Sequence, residues 1–281
     1  MNYRTIMKTI TFIIPSTLQS SYLSPLLDFL IEIWIGEIIV IDNSKWETQI
    51  NVENYKYTVT ILQKNTWGVS FAKNQGALHA TSDYLYFLDD DIFPLDPPCW
   101  QKALHRLLSQ ENDFVCIWGN IHIPPYFLIP HLYQKYAYFY GEKHIWMYDH
   151  FTKQYFWWAN QIFQRKTFLA YWGFPESFGH HADKRGQNEE IFLQECLLQN
   201  QYKLFFKSWL DVIHYGVKEF SEEEFITRLK AQGKADYLLD KQINPHRLRT
   251  RTLKYQISLF FQKFISLNFY DSIRYKAYLA H

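Results

Sequence analysis

The fold of this chain is decided by residues 83–91, which read DYLYFLDDD. The segment Tyr84–Leu88 is apolar and aromatic, as expected of a buried strand, and three carboxylates follow it at once: Asp89, Asp90 and Asp91. These like charges repel one another, and a divalent cation held by hard oxygen ligands would compensate them. Because ligands of open α/β sheets bind at the carboxyl ends of strands, the segment predicts a metal site that holds a diphosphate. An acidic loop after an edge strand is the alternative.

The composition fits one large domain or two small ones. The chain has 281 residues, 48% of them hydrophobic, and a formal net charge of +1, which argues against a nucleic-acid-binding protein. Cys99, Cys116 and Cys196 show no metal-ligand spacing, and so few cysteines are typical of a reducing cytoplasm. The apolar stretch 23–41 contains three acidic residues, so it is not expected to span a membrane. We therefore expect a cytoplasmic protein, either soluble or in peripheral contact with the inner face of the cell membrane.

Strands and helices alternate along the first part of the chain. Short β-rich apolar segments predict strands at 8–14, 37–41, 57–62 and 84–88, and segments with helical spacing predict helices at 21–33, 69–80 and 97–110. Further on, the pattern predicts strands at 114–123, 160–165 and 203–206, a helix at 189–200, and helices from about residue 218 to the last residue. This alternation implies an α/β fold with a mostly parallel sheet.

Four motifs stand in the order that one enzyme family shows. They are FIIPST at 12–17, EIIVIDNS at 37–44, a segment from Asn65 through AKN at 72–74 to Asp91, and NEE at 188–190. Each motif alone is weak evidence for that family, but four motifs in the same order are specific for it. The sequence thereby resembles family 2 of the glycosyltransferases, closely over residues 8–95 and more loosely over 155–215.

The resemblance implies the GT-A fold, a Rossmann-like α/β fold with a mostly parallel sheet flanked by helices. Residues 1–110 would form the nucleotide-sugar-binding half, residues 111–216 the acceptor-binding and catalytic half, and residues 217–281 a C-terminal helical extension. The implied activity is an inverting, metal-dependent transfer of a sugar from a nucleotide sugar, which we expect to be UDP-linked. The expected acceptor is a glycan or a lipid-linked saccharide, as in the synthesis of bacterial surface polysaccharides.

The resemblance also implies a metal site and a nucleotide site. Asp91 would be the first ligand of Mn²⁺ or Mg²⁺, Asp89 would contact the metal or the ribose, and His214 would complete the metal site. The residues expected to bind the nucleotide are Pro15, Ser16, Thr17, Asp42, Asn43, Lys73, Asn74, Asp89 and Asp90. Simple solvation of Asp90, a turn at Asp42 and a backbone bond at His214 are the open alternatives.

A pair of glutamates supplies the expected catalytic base. By resemblance, Glu190 would accept the proton of the acceptor hydroxyl, and Glu189 would hold an acceptor hydroxyl. Helix neighbours point about 100° apart, so only one of the two can face that hydroxyl. A carboxylate in a first helical turn also favours the helix itself, which is the alternative. The chain departs from the family pattern at Lys73, which replaces the usual Arg and lacks its bidentate fork, and at Glu190, which replaces Asp.

Two further segments are candidates for substrate contacts. The polar loop at 178–188 could close over the diphosphate, or it could be an ordinary exposed loop; its candidate residues are His180, His181, Lys184 and Arg185. Trp157 and Trp158 could stack on an acceptor sugar, or they could belong to the core.

The last helical segment combines basic residues with an aromatic, apolar face. It suits an interfacial helix on anionic lipid, and equally a helix that packs on the catalytic domain or in a homodimer. Two other functions are the alternatives to sugar transfer. A sugar-phosphate nucleotidyltransferase would carry a glycine-rich, arginine-containing phosphate loop after the first strand, whereas this chain has PSTL at 15–18. A non-catalytic glycan-binding relative is disfavoured because Asp91, Glu190 and His214 are present.

Overall fold

The structure is a computed structural model. It describes residues 8–33, 36–44, 59–63, 68–109, 114–129, 150–152, 160–179, 188–260 and 269–281.

The described strands and helices follow the predicted alternation. The strands are β1 (Ile10–Ser16), β2 (Glu37–Asp42), β3 (Thr60–Gln63), β4 (Tyr84–Leu88), β5 (Ile92–Pro94), β6 (Cys116–Trp118), β7 (Ile121–His122), β8 (His150–Thr152), β9 (Asn160–Gln164), β10 (Leu204–Phe206) and β11 (Val212–His214). The helices are α1 (Leu23–Ile33), α2 (Val69–His79), α3 (Pro97–Ser109), α4 (Arg165–Ala170), α5 (Glu189–Gln199), α6 (Glu222–Ile243), α7 (Pro245–Phe260) and α8 (Phe269–Leu279).

The main sheet is mostly parallel, as predicted. Its strand order is β3-β2-β1-β4-β9-β6-β10-β8, with β3, β2, β1 and β4 all parallel to one another. Strand β9 runs antiparallel between β4 and β6. The register pairs Ser16 with Asp42 and Leu88 with Asn160, so the carboxyl ends of β1, β2 and β4 meet the start of β9 at one edge.

Helices cover both faces of this sheet, because its strands are apolar on both sides. Tyr86 of β4 belongs to the core under α1 and α3, whereas Phe87 belongs to the core under α2, α4 and α5. Gly76 lets α2 approach the sheet closely, since an added Cβ there would lie 2.9 Å from Ile41 Cδ1. The result is a three-layer α/β arrangement, and the predicted α/β fold is confirmed.

A second, smaller sheet extends the edge that carries the aspartates. Its order is β5-β11-β7, with β11 antiparallel to β5 and parallel to β7. The sequence predicted one strand over 114–123, but the structure has β6 and β7 in different sheets, because the chain leaves the main sheet at Gly119–Asn120. An added Cβ at Gly119 would collide with the Leu210 backbone, so the two segments cross closely there. Strands β5 and β8 and helix α4 were not predicted.

The predicted C-terminal helices are present and pack on one another and on α5. Helix α6 begins with a capping box in which Ser221 and Glu224 bond reciprocally. Its Asp240 is fully buried and pairs with Arg247 at 2.6 Å and with Arg251 at 3.0 Å. Arg247 also pairs with Glu195 of α5 at 2.7 Å. These inward-facing arginines favour the packing alternative for this segment over lipid contact.

In the part of the chain that the structure describes, no helix has both the length and the apolar character that a membrane span requires.

The ion pairs of Asp240 give a stability prediction. Asp240→Ala removes a buried carboxylate that two arginines share, and breaking such a buried pair should lower the free energy of unfolding by about 3 kcal/mol in urea denaturation. Lys218→Ala is the control, because Lys218 precedes α6 and its pair with Glu224 of that helix (3.6 Å) is solvent-exposed and should contribute little. Equal effects of the two variants would contradict this account of the docked helices.

Candidate active site

Asp91 and His214 form a pair at the carboxyl edge of the sheet. His214 Nε2 lies 3.3 Å from Asp91 Oδ2. The pair forms because β5, which follows Asp91, is antiparallel to β11 and places Ile92 opposite His214. The Asp91 carboxylate packs against Gly216, where an added Cβ would collide with it. Asp91 Oδ1 is buried and has no hydrogen-bond partner among the described residues, so it can still bind a ligand.

This pair fits a divalent cation. A carboxylate and a neutral imidazole suit Mn²⁺, and Mg²⁺ commonly takes one or two carboxylates together with water and phosphate oxygens. The described ranges contain no group of three or more His, Cys, Asp or Glu residues arranged for a metal. Two protein ligands would therefore leave most of the coordination shell to a diphosphate and water. Asp89 lies against Lys73 instead of joining the pair, so its role as a ligand stays a prediction.

Lys73 is a buried ammonium group among three carboxylates. Only 3% of its side chain is exposed, and its Nζ lies 3.5 Å from Asp89 Oδ1 and 4.0 Å from Glu190 Oε1. Burial alone would lower the pKa of Lys73, but the charges of Asp89, Glu190 and Glu189 together raise it. Lys73 is therefore a permanent positive charge that joins the aspartates after β4 to the glutamates of α5.

Glu189 and Glu190 occupy the first turn of α5, and each is 7% exposed. Burial, followed by the charge of Glu190, raises the pKa of Glu189 well above its ordinary value, while Lys73 opposes that shift. Two carboxylates this close do not ionise independently. The contact with Lys73 belongs to Glu190, which is the carboxylate that the sequence predicted as the base.

The start of α5 is fixed by the C-terminal helices. Asn188, which precedes α5, is in the left-handed conformation with φ 78°, and Asn is one of the few residues that tolerate it. Its Nδ2 donates to Asp236 Oδ1 at 3.2 Å, and Gln232 Nε2 donates to its Oδ1 at 3.1 Å. Arg274 of α8 bonds to Asp236 Oδ2 at 2.5 and 2.9 Å.

The residues that set this helix in place were not predicted. Asn188 was quoted as part of a motif, but its partners Gln232 and Asp236 lie 44 and 48 residues further along the chain, and no local pattern links them. Arg274, which pairs with Asp236, is more distant still.

Ser16 and Asp90 lie together at the end of β1. Ser16 Oγ donates to Asp90 Oδ2 at 2.5 Å, and Leu18 N donates to Ser16 Oγ at 2.9 Å. Burial raises the pKa of Asp90 to about 7, although the bond from Ser16 lowers it. Asp90 is thus half-buried and hydrogen-bonded, and its expected role in nucleotide binding stays a prediction. Pro15 is buried within β1, and Thr17 is exposed directly after it.

Asp42 and Asn43 lie beside Ser16 at the end of β2. Asn43 N donates to Ser16 O at 2.8 Å, and Ser44 N donates to Asp42 Oδ1 at 2.9 Å, which is the turn that was the alternative for Asp42. Asn43 Oδ1 is buried and finds no hydrogen-bond partner within the described part of the chain. The turn and a base contact through Asp42 Oδ2 are compatible, since the turn uses Oδ1.

Asn74 ties α2 to the turn after α4. Its Nδ2 donates to Phe174 O at 2.8 Å, and Phe174 N donates to its Oδ1 at 2.9 Å. Both polar groups of the side chain are therefore used inside the protein. The other candidates lie outside the described residues: Trp157, Trp158, His180, His181, Lys184 and Arg185.

With this geometry established, comparisons with known proteins decide the family. The sequence profile described as "Glycosyl transferase family 2" matches residues 11–174, more than half of the chain. This chain belongs to glycosyltransferase family 2. A protein of Haemophilus influenzae described as "Uncharacterized glycosyltransferase" is 30% identical over 77 residues, which cover 27% of this chain and 26% of that protein. The chain therefore matches about a quarter of the length of that relative. The match to the family profile confirms the predicted family.

Solved structures show the same fold. The mannosyltransferase PcManGT from Pyrobaculum calidifontis, in complex with GDP-Man and Mn²⁺, has a TM-score of 0.62 at 13% identity, over 98% of this chain and 88% of that one. GalNAc-T7 with UDP, GalNAc and Mn²⁺ has a TM-score of 0.54 at 12% identity, over 82% of this chain and 48% of that one. S. aureus TarS 1–349 has a TM-score of 0.54 at 12% identity, over 96% and 89%. The family 2 chain thus has the predicted GT-A fold.

Lys73 gives a pH-dependent stability prediction. Without the charge of Lys73, the pKa of the buried Glu189 would rise further above the value of about 4.3 for Glu in an unfolded chain. A group with a raised folded-state pKa contributes stability below its unfolded pKa and loses that contribution as the pH rises. Lys73→Met should therefore be about 3 kcal/mol less stable than the parent at pH 8, with a smaller difference at pH 5. Urea denaturation at both pH values measures this. Lys166→Met is the control because Lys166 is exposed, and a difference independent of pH would contradict the assignment.

Proposed function

We propose that this protein is an inverting, metal-dependent glycosyltransferase that moves a sugar from a nucleotide sugar to a saccharide or lipid-linked acceptor. The observation that carries the proposal is the contact of the buried Lys73 with both Asp89 and Glu190. It brings the proposed base to the aspartate segment that also contains the Asp91–His214 pair. Membership of glycosyltransferase family 2, with neighbours in fold that bind UDP or GDP-Man and Mn²⁺, supports it.

The nucleotide would lie along the carboxyl ends of β1 and β2. Asp42 Oδ2 would accept a hydrogen bond from the base, which makes a uracil N3–H a suitable partner, and Asn43 Oδ1 is a buried acceptor beside it. Pro15 and Thr17 would contact the nucleoside. Asp91 and His214 would hold Mn²⁺ or Mg²⁺, which when bound neutralises the charge that develops on the leaving diphosphate.

The chain's own residues carry the proton transfer. Glu190 would accept the proton of the acceptor hydroxyl as its oxygen forms a bond to the anomeric carbon and the bond from that carbon to the diphosphate breaks. The nucleoside diphosphate leaves on the side opposite the hydroxyl, so the configuration inverts. Lys73 would keep Glu190 near the aspartates without a net repulsion, and the raised pKa of Glu189 suits a neutral group that donates a hydrogen bond to the acceptor.

The proposed biological setting is the synthesis of surface polysaccharides. Surface polysaccharide synthesis at the inner face of the membrane agrees with a GT-A fold and a lipid-linked acceptor. The inward-facing Arg247 and Arg251 leave less basic charge in α7 for anionic lipid than the sequence suggested.

The metal pair gives the first functional prediction. We expect Asp91→Ala to lose Mn²⁺-dependent binding of nucleoside diphosphate and hydrolysis of the nucleotide sugar by at least roughly 100-fold, because a directly ligating carboxylate is removed. Calorimetry and a hydrolysis assay with UDP-, GDP- and dTDP-sugars measure both. Asp96→Ala is the control, since Asp96 is an exposed carboxylate on the same segment. A parent protein that binds none of these nucleotides with Mn²⁺ or Mg²⁺ would refute the proposal and favour the non-catalytic relative.

The pair Glu189 and Glu190 gives the second functional prediction. Glu190→Gln should reduce transfer by at least roughly 100-fold because the general base is lost, while affinity for the nucleoside diphosphate should change little. Glu189→Gln is the matched comparison and should retain more activity. If Glu189→Gln alone abolishes transfer, the base is Glu189.

A further inference from the structure

Gln161 carries a buried side-chain amide that no described residue hydrogen-bonds. Its side chain is 1% exposed, and neither Nε2 nor Oε1 has a hydrogen-bond partner among the residues that the structure describes. Burying both ends of an amide without partners is costly, so such groups call for an explanation such as a bound ligand or water.

The neighbouring residue shows how this fold normally satisfies a buried amide. Asn160 Oδ1 accepts from Tyr86 Oη at 2.6 Å, and its Nδ2 donates to Asn120 O and Leu210 O at 3.0 and 2.5 Å. Asn160 and Gln161 are consecutive in β9, so their side chains lie on opposite faces of the sheet. Both polar groups of the Asn160 side chain are hydrogen-bonded, whereas neither polar group of the Gln161 side chain has a partner among the described residues.

The register places Gln161 at the candidate active site. It lies opposite Phe87 of β4 and Trp118 of β6, on the sheet face that α2 and α5 cover. Asp89 is the next residue after Phe87 on that same face, because strand side chains alternate. Asp89 contacts Lys73, which in turn reaches Glu190. Gln161 therefore lies on the sheet face that also carries Asp89 and that is covered by α2 and α5, the helices of Lys73 and Glu190.

The hydrogen-bonding groups of the amide limit which chemical class of ligand can satisfy it. A phosphate would accept from Nε2 and leave Oε1 without a partner, and a metal ion would do the reverse. A hydroxyl both donates and accepts, so two adjacent hydroxyls of a sugar can satisfy both ends of the amide at once.

We propose that Gln161 binds sugar hydroxyls and is a specificity-determining residue of this site. The inference rests on the proposed function. Gln161 is paired with Phe87, two residues before Asp89, and this place near the end of β4 favours the transferred sugar of the nucleotide sugar over the acceptor sugar. Selectivity follows because a sugar that lacks the matching hydroxyls leaves the buried amide unsatisfied.

The test compares nucleotide sugars with the bare nucleoside diphosphates. Calorimetry with Mn²⁺ measures UDP, GDP, UDP-glucose, UDP-galactose, UDP-N-acetylglucosamine and GDP-mannose on the parent, Gln161→Leu and Gln161→Met proteins. For the nucleotide sugar that the parent binds best, we expect both variants to lose roughly tenfold or more in affinity, with affinity for the matching diphosphate unchanged. Two apolar variants are used so that one poorly folded protein does not decide the result.

A stability measurement separates binding from structure. Without ligand, Gln161→Leu should be as stable as the parent or more stable, because it removes an unsatisfied amide, whereas Asn160→Leu should be clearly less stable because it breaks three bonds.

Each outcome has one reading. If donor affinity is unchanged but free hexoses bind the variants more weakly than the parent in ligand-detected NMR with UDP and Mn²⁺, Gln161 binds the acceptor sugar. If neither changes, a buried water satisfies the amide and the inference is overturned, while the proposed function stands. If the parent binds no diphosphate at all, the proposed function fails and this inference fails with it.

Discussion

The site depends on one electrostatic constraint, the compensation of carboxylates that the fold concentrates in a poorly solvated place. The sheet edge brings three aspartates together, and α5 adds two glutamates that are 7% exposed. Left alone, these charges would repel one another or become protonated. Lys73 is a buried counter-charge that lies between Asp89 and Glu190 and reduces this repulsion. Ser16 donates a hydrogen bond to Asp90, and His214 lies beside Asp91. Asp91 Oδ1, which has no hydrogen-bond partner in the described part of the chain, is then available for a cation.

The parts of this site come from distant regions of the chain, and the C-terminal helices hold the start of α5 with its two glutamates in place. The aspartates follow β4, His214 ends β11, and the glutamates begin α5. Helix α5 starts where it does because the left-handed Asn188 is bound by Gln232 and Asp236 of α6. The C-terminal helices are thus part of the framework of the site, in addition to covering apolar surface.

The resemblance to family 2 predicted that Asp91 and His214 would come together. Local patterns were enough to predict most of the strands and the main helices. They succeeded because the pattern of apolar residues sets strands and helices, and parallel strands bring their carboxyl ends together. They failed where the outcome depends on long-range contacts. The split between β6 and β7 depends on a crossing with Leu210, and the support of α5 depends on Asp236 and Arg274. The unsatisfied state of Gln161 likewise becomes visible only when its neighbours are known.

The bond between Asp236 and Arg274 has a consequence for how the protein matures. Asp236 is 5% exposed and takes its counter-charge from a residue 38 positions later in the chain. During synthesis on the ribosome, β1 to β4 emerge long before α8, so the sheet can begin to form while Asp236 still lacks its counter-charge. The start of α5 is therefore expected to be fixed late, after α8 has left the ribosome and packed on α6.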